Sequence, residues 1–379
     1  RRAVACLLVL VQLSAAVPFS GCTTDDECSL NGLCKAGVCQ CDRPWTGPSC
    51  GLLAFKPAAT TSCGPACAYH GDGVDTTTSW GGSVRPLNAT HYIMAVAEFT
   101  HKCPLGSWQH NSQVAVAVSE TPEGPFTKLD TAITPWAHNP ELVRAPDGTW
   151  LIYTLGDGTP HGAQQKCDGQ EDLGEQGDVR TNTTVDFVIH FSDSPNGPWQ
   201  ALATNISGFK STWNMGNWNP APVVFRDGRV RLMVHTDVKP WAGETLVEAA
   251  TWRGPYTAIT GDVTKCDHCQ EDPFIWQDKR GHWHALFHRM FDPAGPSPIP
   301  SPGWSGGHAF SRDGLTWSTW SNKDPSARCY NTSIALDDGT AMETLRRERP
   351  KLLFDSNGVP THLYNGVATS THGTFTAAV

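Results

Sequence analysis

The chain has no basic tract, no sustained helical periodicity, and no apolar run after residue 20 that could span a bilayer. Its densest basic group, Arg346, Arg347 and Arg349, is interrupted by Glu348. With a net charge of −9 and a pI near 5.9, there is no electrostatic case for nucleic acid. Ser83 and Ser119 lack a nucleophile-elbow context, which argues against a serine hydrolase. Cys266-Asp-His-Cys269 has zinc-type ligands, but a second C-x2-C is missing. His282, His284 and His288 alternate on one predicted strand, with no acids fixed beside them, so no metal and no cofactor are expected.

What is present is a repeat. Gln270–Met290 reads as an acidic pair, Pro273, an apolar strand, a polar turn ending in Gly281, and a second apolar strand. The unit recurs after His138-Asn139-Pro140, Trp218-Asn219-Pro220 and Glu348-Arg349-Pro350, and more weakly after Ser79-Trp80-Gly81. Aligned on the turn, the second residues are Trp80, Asn139, Asn219, Asp272 and Arg349. Their intervals are 59, 80, 53 and 77 residues. Five such hairpins, with Asp-Gly or Asn-Gly at several turns, predict an all-β fold, a five-bladed β-propeller over 79–379. The innermost strands would bring all five triplets to one mouth of the channel. Residues 52–78, rich in Gly, Ala, Thr and Ser, read as linker and entry, with part of it supplying a strand that seals the last blade. Asp72 and Asp75 lie in this entry segment.

Residues 1–20 carry a basic start, the apolar stretch ACLLVLVQL and small residues, the pattern of a signal peptide with an incomplete N-terminus. Secretion is therefore expected. Asn88, Asn182, Asn205 and Asn331 head N-glycosylation triplets.

Cys22, Cys28, Cys34, Cys39, Cys41 and Cys50 crowd into 29 residues. So short a piece needs a disulfide framework to stay folded, and spacing alone leaves fifteen pairings open. The order C-x5-C-x5-C-x4-C-x-C-x8-C, with Pro44-Trp45-Thr46-Gly47 before the last Cys, resembles an epidermal-growth-factor-like (EGF-like) domain over 21–51. The resemblance implies the pairs Cys22–Cys34, Cys28–Cys39 and Cys41–Cys50. Phe19-Ser20-Gly21 lacks the acidic or amide residues of calcium-binding members. The module would act as a spacer or as a dock for an extracellular protein. Seven more Cys follow downstream, which leaves one unpaired.

A second motif closes the blades: a strand, then Pro and Gly-Pro, then an aromatic, as in VSETPEGPF and HFSDSPNGPW. Together with the X-Pro inner strands, it resembles glycoside hydrolase family 43 and its five-bladed relatives over Ser79–Gly366. The resemblance implies a sugar pocket at the channel mouth, with an Asp base on blade one, an Asp on blade two and a Glu acid on blade three. The matching positions here, Trp80, Asn139 and Asn219, are not acids. Acids occur instead at Glu271, Asp272 and Glu348, and Glu141 lies two residues past Asn139. The expected catalytic pair is Asp272 and Glu348, with Glu271 and Glu141 in reserve. Trp80, His138, Asn139, Trp218, Asn219 and Arg349 would bind the glycan. The alternative is a carbohydrate-binding or adhesive protein that lacks the acids.

Overall fold

A computed structural model describes residues 21–71, 77–159, 163–167, 186–208, 218–236, 243–261, 263, 270–289, 304–318, 328–371 and 373–379. Five antiparallel sheets form the body. Blade one comprises Thr77–Pro86, Tyr92–Thr100, Ser112–Ser119 and Thr127–Ile133. Blade two comprises His138–Arg144, Trp150–Leu155, Phe187–Ser192 and Gln200–Thr204. Blade three comprises Trp218–Val224, Val230–Thr236, Gly243–Ala249 and Tyr256–Thr260, with Ile206–Ser207 added in parallel at its outer edge. Blade four comprises Gln270–Gln277, Trp283–Arg289, Trp304–Ser311 and Arg328–Asn331.

Blade five is sealed by the entry segment. Its strands Arg346–Phe354, Pro360–Thr369 and Gly373–Ala378 are followed by Cys67–Tyr69, which pairs antiparallel with Gly373–Ala378. A strand from one end of the ring thus covers the edge left at the other, so that edge has no exposed ladder. The five inner strands touch in succession, and the fifth returns to the first. This closes the ring.

The hairpin turns are set by local chemistry. In blades two and three the turn aspartate accepts a backbone N–H two residues on: Asp147 from Thr149 at 3.0 Å and Asp227 from Arg229 at 3.1 Å. Gly148 and Gly228 follow with φ of +92° and +89°, which glycine adopts at little cost. Between blades, apolar side chains fill the seams. Ile93, Val116, Leu142 and Ile152 join blades one and two; Tyr153, Phe187, Leu232 and Tyr256 join two and three. Each fully buried side chain of this size contributes about 1.5–3 kcal/mol.

The N-terminal module contains Cys22–Cys34, Cys28–Cys39 and Cys41–Cys50, the pairing its resemblance implied. It is seated on the propeller. Trp45 is 7% exposed and packs with Phe274, Trp276 and Leu352 of blades four and five. Arg280, in the blade-four turn, donates from Nη2 to Leu30 O and Asp42 Oδ2, both at 2.6 Å. That turn lies at the end of the inner strand remote from Glu271 and Asp272, so the module docks on the face opposite the mouth. Cys63–Cys67 and Cys103–Cys167 are further disulfides, and Cys329 is buried and unpaired. Cys266 and Cys269 lie outside the described residues, as do Asp72, Asp75 and Asn182. Asn88 and Asn205 are exposed; Asn331 is half-buried.

Candidate active site

The X-Pro triplets form one structural device. In blades two to five the residue before Pro has a left-handed backbone: Asn139 φ +49°, Asn219 φ +55°, Asp272 φ +56° and Arg349 φ +55°. At each, strand pairing skips a step, as between His138 and Glu141 or between Glu271 and Phe274. Such a bulge re-aims side chains, and proline suits it because no ladder N–H is needed there. Non-glycine residues in this region are sparse and concentrate at functional sites. In blade one the corresponding residue is Gly81, φ +68°, with the irregularity between Trp80 and Gly82. This corrects the alignment by one place. Trp80 matches His138, Trp218, Glu271 and Glu348, and Gly81 matches the inner position.

Around the mouth, blades four and five supply the ionisable groups. Glu271 and His288 are direct cross-strand partners, with Glu271 Oε1 3.3 Å from His288 Nδ1. The same nitrogen lies 3.9 Å from Asp272 Oδ2, and His288 Nε2 lies 3.6 Å from Glu348 Oε1. One donor atom from each of Glu271, Asp272, His288 and Glu348 falls within 4.8 Å of the others. The donor types could suit a cation, but His288 turns its two nitrogens to different carboxylates and bridges them. Arg346 Nε donates to Glu348 at 2.6 Å, and Arg349 Nε lies 3.7 Å from Asp272 Oδ1. Asn139 Nδ2 donates to the same Asp272 oxygen at 3.2 Å. Blade three adds His235, whose Nδ1 is 3.0 Å from Glu244 Oε1.

These environments separate the acids. Asp272 is wholly buried, and burial pushes its carboxyl up to about 6, against the pull of Arg349 and with the help of the Glu271 charge. Burial also pushes Glu271 upward, but the hydrogen bond and charge of His288 outweigh it and hold Glu271 low. Burial disfavours the His288 imidazolium, yet Glu348 and Glu271 raise it above its ordinary range. A proton-holding carboxyl beside an ionised one, Asp272 beside Glu271, is the pattern that acid–base chemistry uses.

The other expected residues fall into two tiers. At the mouth, His138 is buried, its Nδ1 2.6 Å from Ser112 Oγ and its ring stacked on Trp108 at 5.2 Å. Burial, then Arg349, depresses its protonation well below the usual range. Asn219 is buried, and Trp80 has no exposed surface; it lies against Phe99, Cys103 and Cys167. Trp218 is described only as backbone, opposite His235. One step deeper, two residues past the left-handed positions, lie Ser83, Glu141, Phe274 and Lys351. Glu141 accepts from Ser83 Oγ at 2.8 Å and Arg85 Nη2 at 2.7 Å, and its Oε2 is 2.9 Å from Lys351 Nζ. Lys351 also lies 5.9 Å from the centre of the Phe274 ring. Glu141 is therefore occupied in a buried ion pair with Lys351, rather than held in reserve at the mouth.

The histidine trio divides. His288 belongs to the mouth, while His284 Nδ1 faces His308 Nε2 at 3.2 Å on the opposite side. Sequence reading passed over His235 and Lys351, saw Arg346 only in the basic group beside Glu348, and saw His288 only within that trio. The available signal was position: His288 pairs directly across from Glu271. A groove of about 1120 Å³ opens on the far face between Trp45, Lys56, Trp276 and Pro360, and none of its lining residues belongs to the mouth.

Residues 24–52 match the Teneurin-like EGF domain model. No curated protein matches the chain in sequence. Among solved structures, the chain is similar to Zg3597, a family 117 glycoside hydrolase from the marine bacterium Zobellia galactanivorans. The TM-score is 0.52 and the identity 13%, over 86% of this chain and 87% of that one. It is also similar to the α-L-arabinofuranosidase PaAbf62A from Podospora anserina, solved in complex with cellotriose, with TM-score 0.53 and 9% identity over 87% and 98%. The chain shares the five-bladed fold of these glycoside hydrolases. A thermostable family-43 glycoside hydrolase matches at TM-score 0.48 and 12% identity, over 81% of this chain and 90% of that one. Among the described residues no helix is long and apolar enough to cross a membrane.

Proposed function

We propose that this is a secreted glycoside hydrolase that cleaves a polysaccharide or oligosaccharide at the mouth formed by blades four and five. The observation that carries the reading is Asp272: a wholly buried carboxyl, retaining its proton to about pH 6, with oxygens of Glu271 and Glu348 within 4.8 Å. Hydrolysis of a glycosidic bond needs one carboxylic acid to protonate the leaving oxygen and a second carboxylate on the other side of the sugar. In this reading Asp272 is the acid. Glu348, fixed by Arg346, is the second carboxylate, and Glu271 with His288 holds the field around them. His138, Asn139, Asn219 and Arg349 would contact sugar hydroxyls. The disulfide-rich module supports an oxidising, extracellular setting, and in this reading it serves as a dock for an extracellular protein.

The test is release of reducing sugar from arabinan, xylan, galactan and fructan, with binding measured on the same set. Release that disappears in Asp272→Asn supports the assignment; unchanged turnover in that variant refutes it. A second reading, glycan binding without cleavage, is favoured by Gly81, Asn139 and Asn219 at the inner positions of blades one to three. None of these side chains can exchange a proton at neutral pH. Binding without release from any of the four polymers would leave that reading alone.

A further inference from the structure

Arg349 is only 8% exposed, yet its Nε and Nη1 have no hydrogen-bond partner among the described residues. The Asp272 oxygen 3.7 Å from Nε is an ion-pair neighbour, too far to accept a hydrogen bond. Leaving buried cationic donors unpaired is expensive, so a residue held this way awaits an acceptor. Its placement is built in. The backbone at Arg349 is left-handed before Pro350, and a Cβ on Gly81 would meet Arg349 Cβ at 3.0 Å and Cδ at 3.3 Å. Blade one therefore gives up a side chain where blade five inserts a guanidinium. Trp80 Nε1 and His138 Nε2, on blades one and two, are likewise buried without partners.

The mouth is thus divided. Carboxyls gather at blades four and five, unpartnered polar groups lie on blades one and two, and Arg349 stands between them, touching both Gly81 and Asp272. Neutral sugar hydroxyls would satisfy single donors, whereas a carboxylate or sulfate presents two or more acceptor oxygens and forms the stronger, charge-assisted bonds that a guanidinium with two open donors can make. We propose that the glycan unit recognised here carries an anionic substituent, a carboxylate or a sulfate ester, that accepts from Arg349. This rests on the glycan reading above and narrows it to acidic polysaccharides.

Matched oligosaccharide pairs test the proposal on the full chain: an oligogalacturonate against its methyl ester, and a sulfated galactan oligosaccharide against its desulfated form. Binding is measured by calorimetry at low and moderate salt. A charge-assisted hydrogen bond predicts at least about tenfold tighter binding of the charged member in one pair, and which pair responds identifies carboxylate or sulfate. In Arg349→Gln the preference, taken as the ratio of the two affinities, should fall below about threefold whatever the change in overall affinity; Arg349→Lys should retain part of it. Equal binding of charged and neutral members by the unmodified protein overturns the proposal without touching the hydrolase reading. If neither these pairs nor the neutral polymers bind, both fall together.

Discussion

Asn139 of blade two donates a hydrogen bond to Asp272 of blade four, 3.2 Å across the channel and 133 residues away in sequence. Both residues sit in the left-handed position before a proline. The contact exists because the ring closes, and it fixes one oxygen of Asp272 while Oδ2 is buried without a hydrogen bond among the described residues. Asp272→Asn should retain the fold and lower sugar release by at least about a hundredfold, the scale of losing a general acid. Reducing-sugar assay beside circular dichroism checks both halves.

The same carboxyl sets a pH limit. Asp272 is raised from its ordinary value to about 6, so its protonated form persists to that point and is lost above it. Activity that depends on proton donation should therefore decline as pH rises through about 6. A kcat/KM profile flat from pH 5 to 8 would contradict this.

Glu141 and Lys351 predict a different phenotype. Both are almost wholly buried, and they pair at 2.9 Å. Glu141→Gln or Lys351→Met leaves the partner charge buried and should destabilise the protein by about 3–5 kcal/mol. Replacing both together should recover much of that loss. Denaturant unfolding of the two single variants and the double variant measures the coupling.

Buried histidines predict acid sensitivity. His138, His190, His284 and His308 are all depressed chiefly by burial, His190 to about 4. Their stabilising contribution is complete above the unfolded value near 6.5 and is lost as pH falls below it. His235 and His288 are raised and act in the opposite sense. Asp272, raised to about 6, also acts in the opposite sense; the four still outnumber these three, so Tm should fall between pH 7 and pH 5. His308→Gln should reduce that fall.

The module's seat can be tested through Trp45 and Arg280. Trp45→Ala removes the aromatic from the blade-four and blade-five seam and should weaken docking by about 3–5 kcal/mol. Arg280→Ala should matter less, because Asp42 is half-exposed and water screens the pair. Protease cleavage between residues 51 and 59 should accelerate strongly in the first variant and slightly in the second.

The repeat, the hairpins and the disulfide module are legible in the chain alone, because they depend on near neighbours. Asp-Gly turns, proline before an apolar run and closely spaced cysteines act over a few residues. The chain also supplied Glu271, Asp272 and Glu348 as the acids of the inner strands. What each acid meets is set by the folded ring. Alternation along the strand suggested that Glu141 would share the mouth with Asn139, but the bulge at Asn139-Pro140 interrupts that alternation, and Glu141 turns to Lys351 instead. Turn alignment selected Trp80, whereas ring closure put Gly81 at the inner position because Arg349 needs the space. The partners of His288 and the solitary donors of Arg349 come from strands on different blades. Their spacing is set by how five sheets pack around one axis, and no local pattern encodes it.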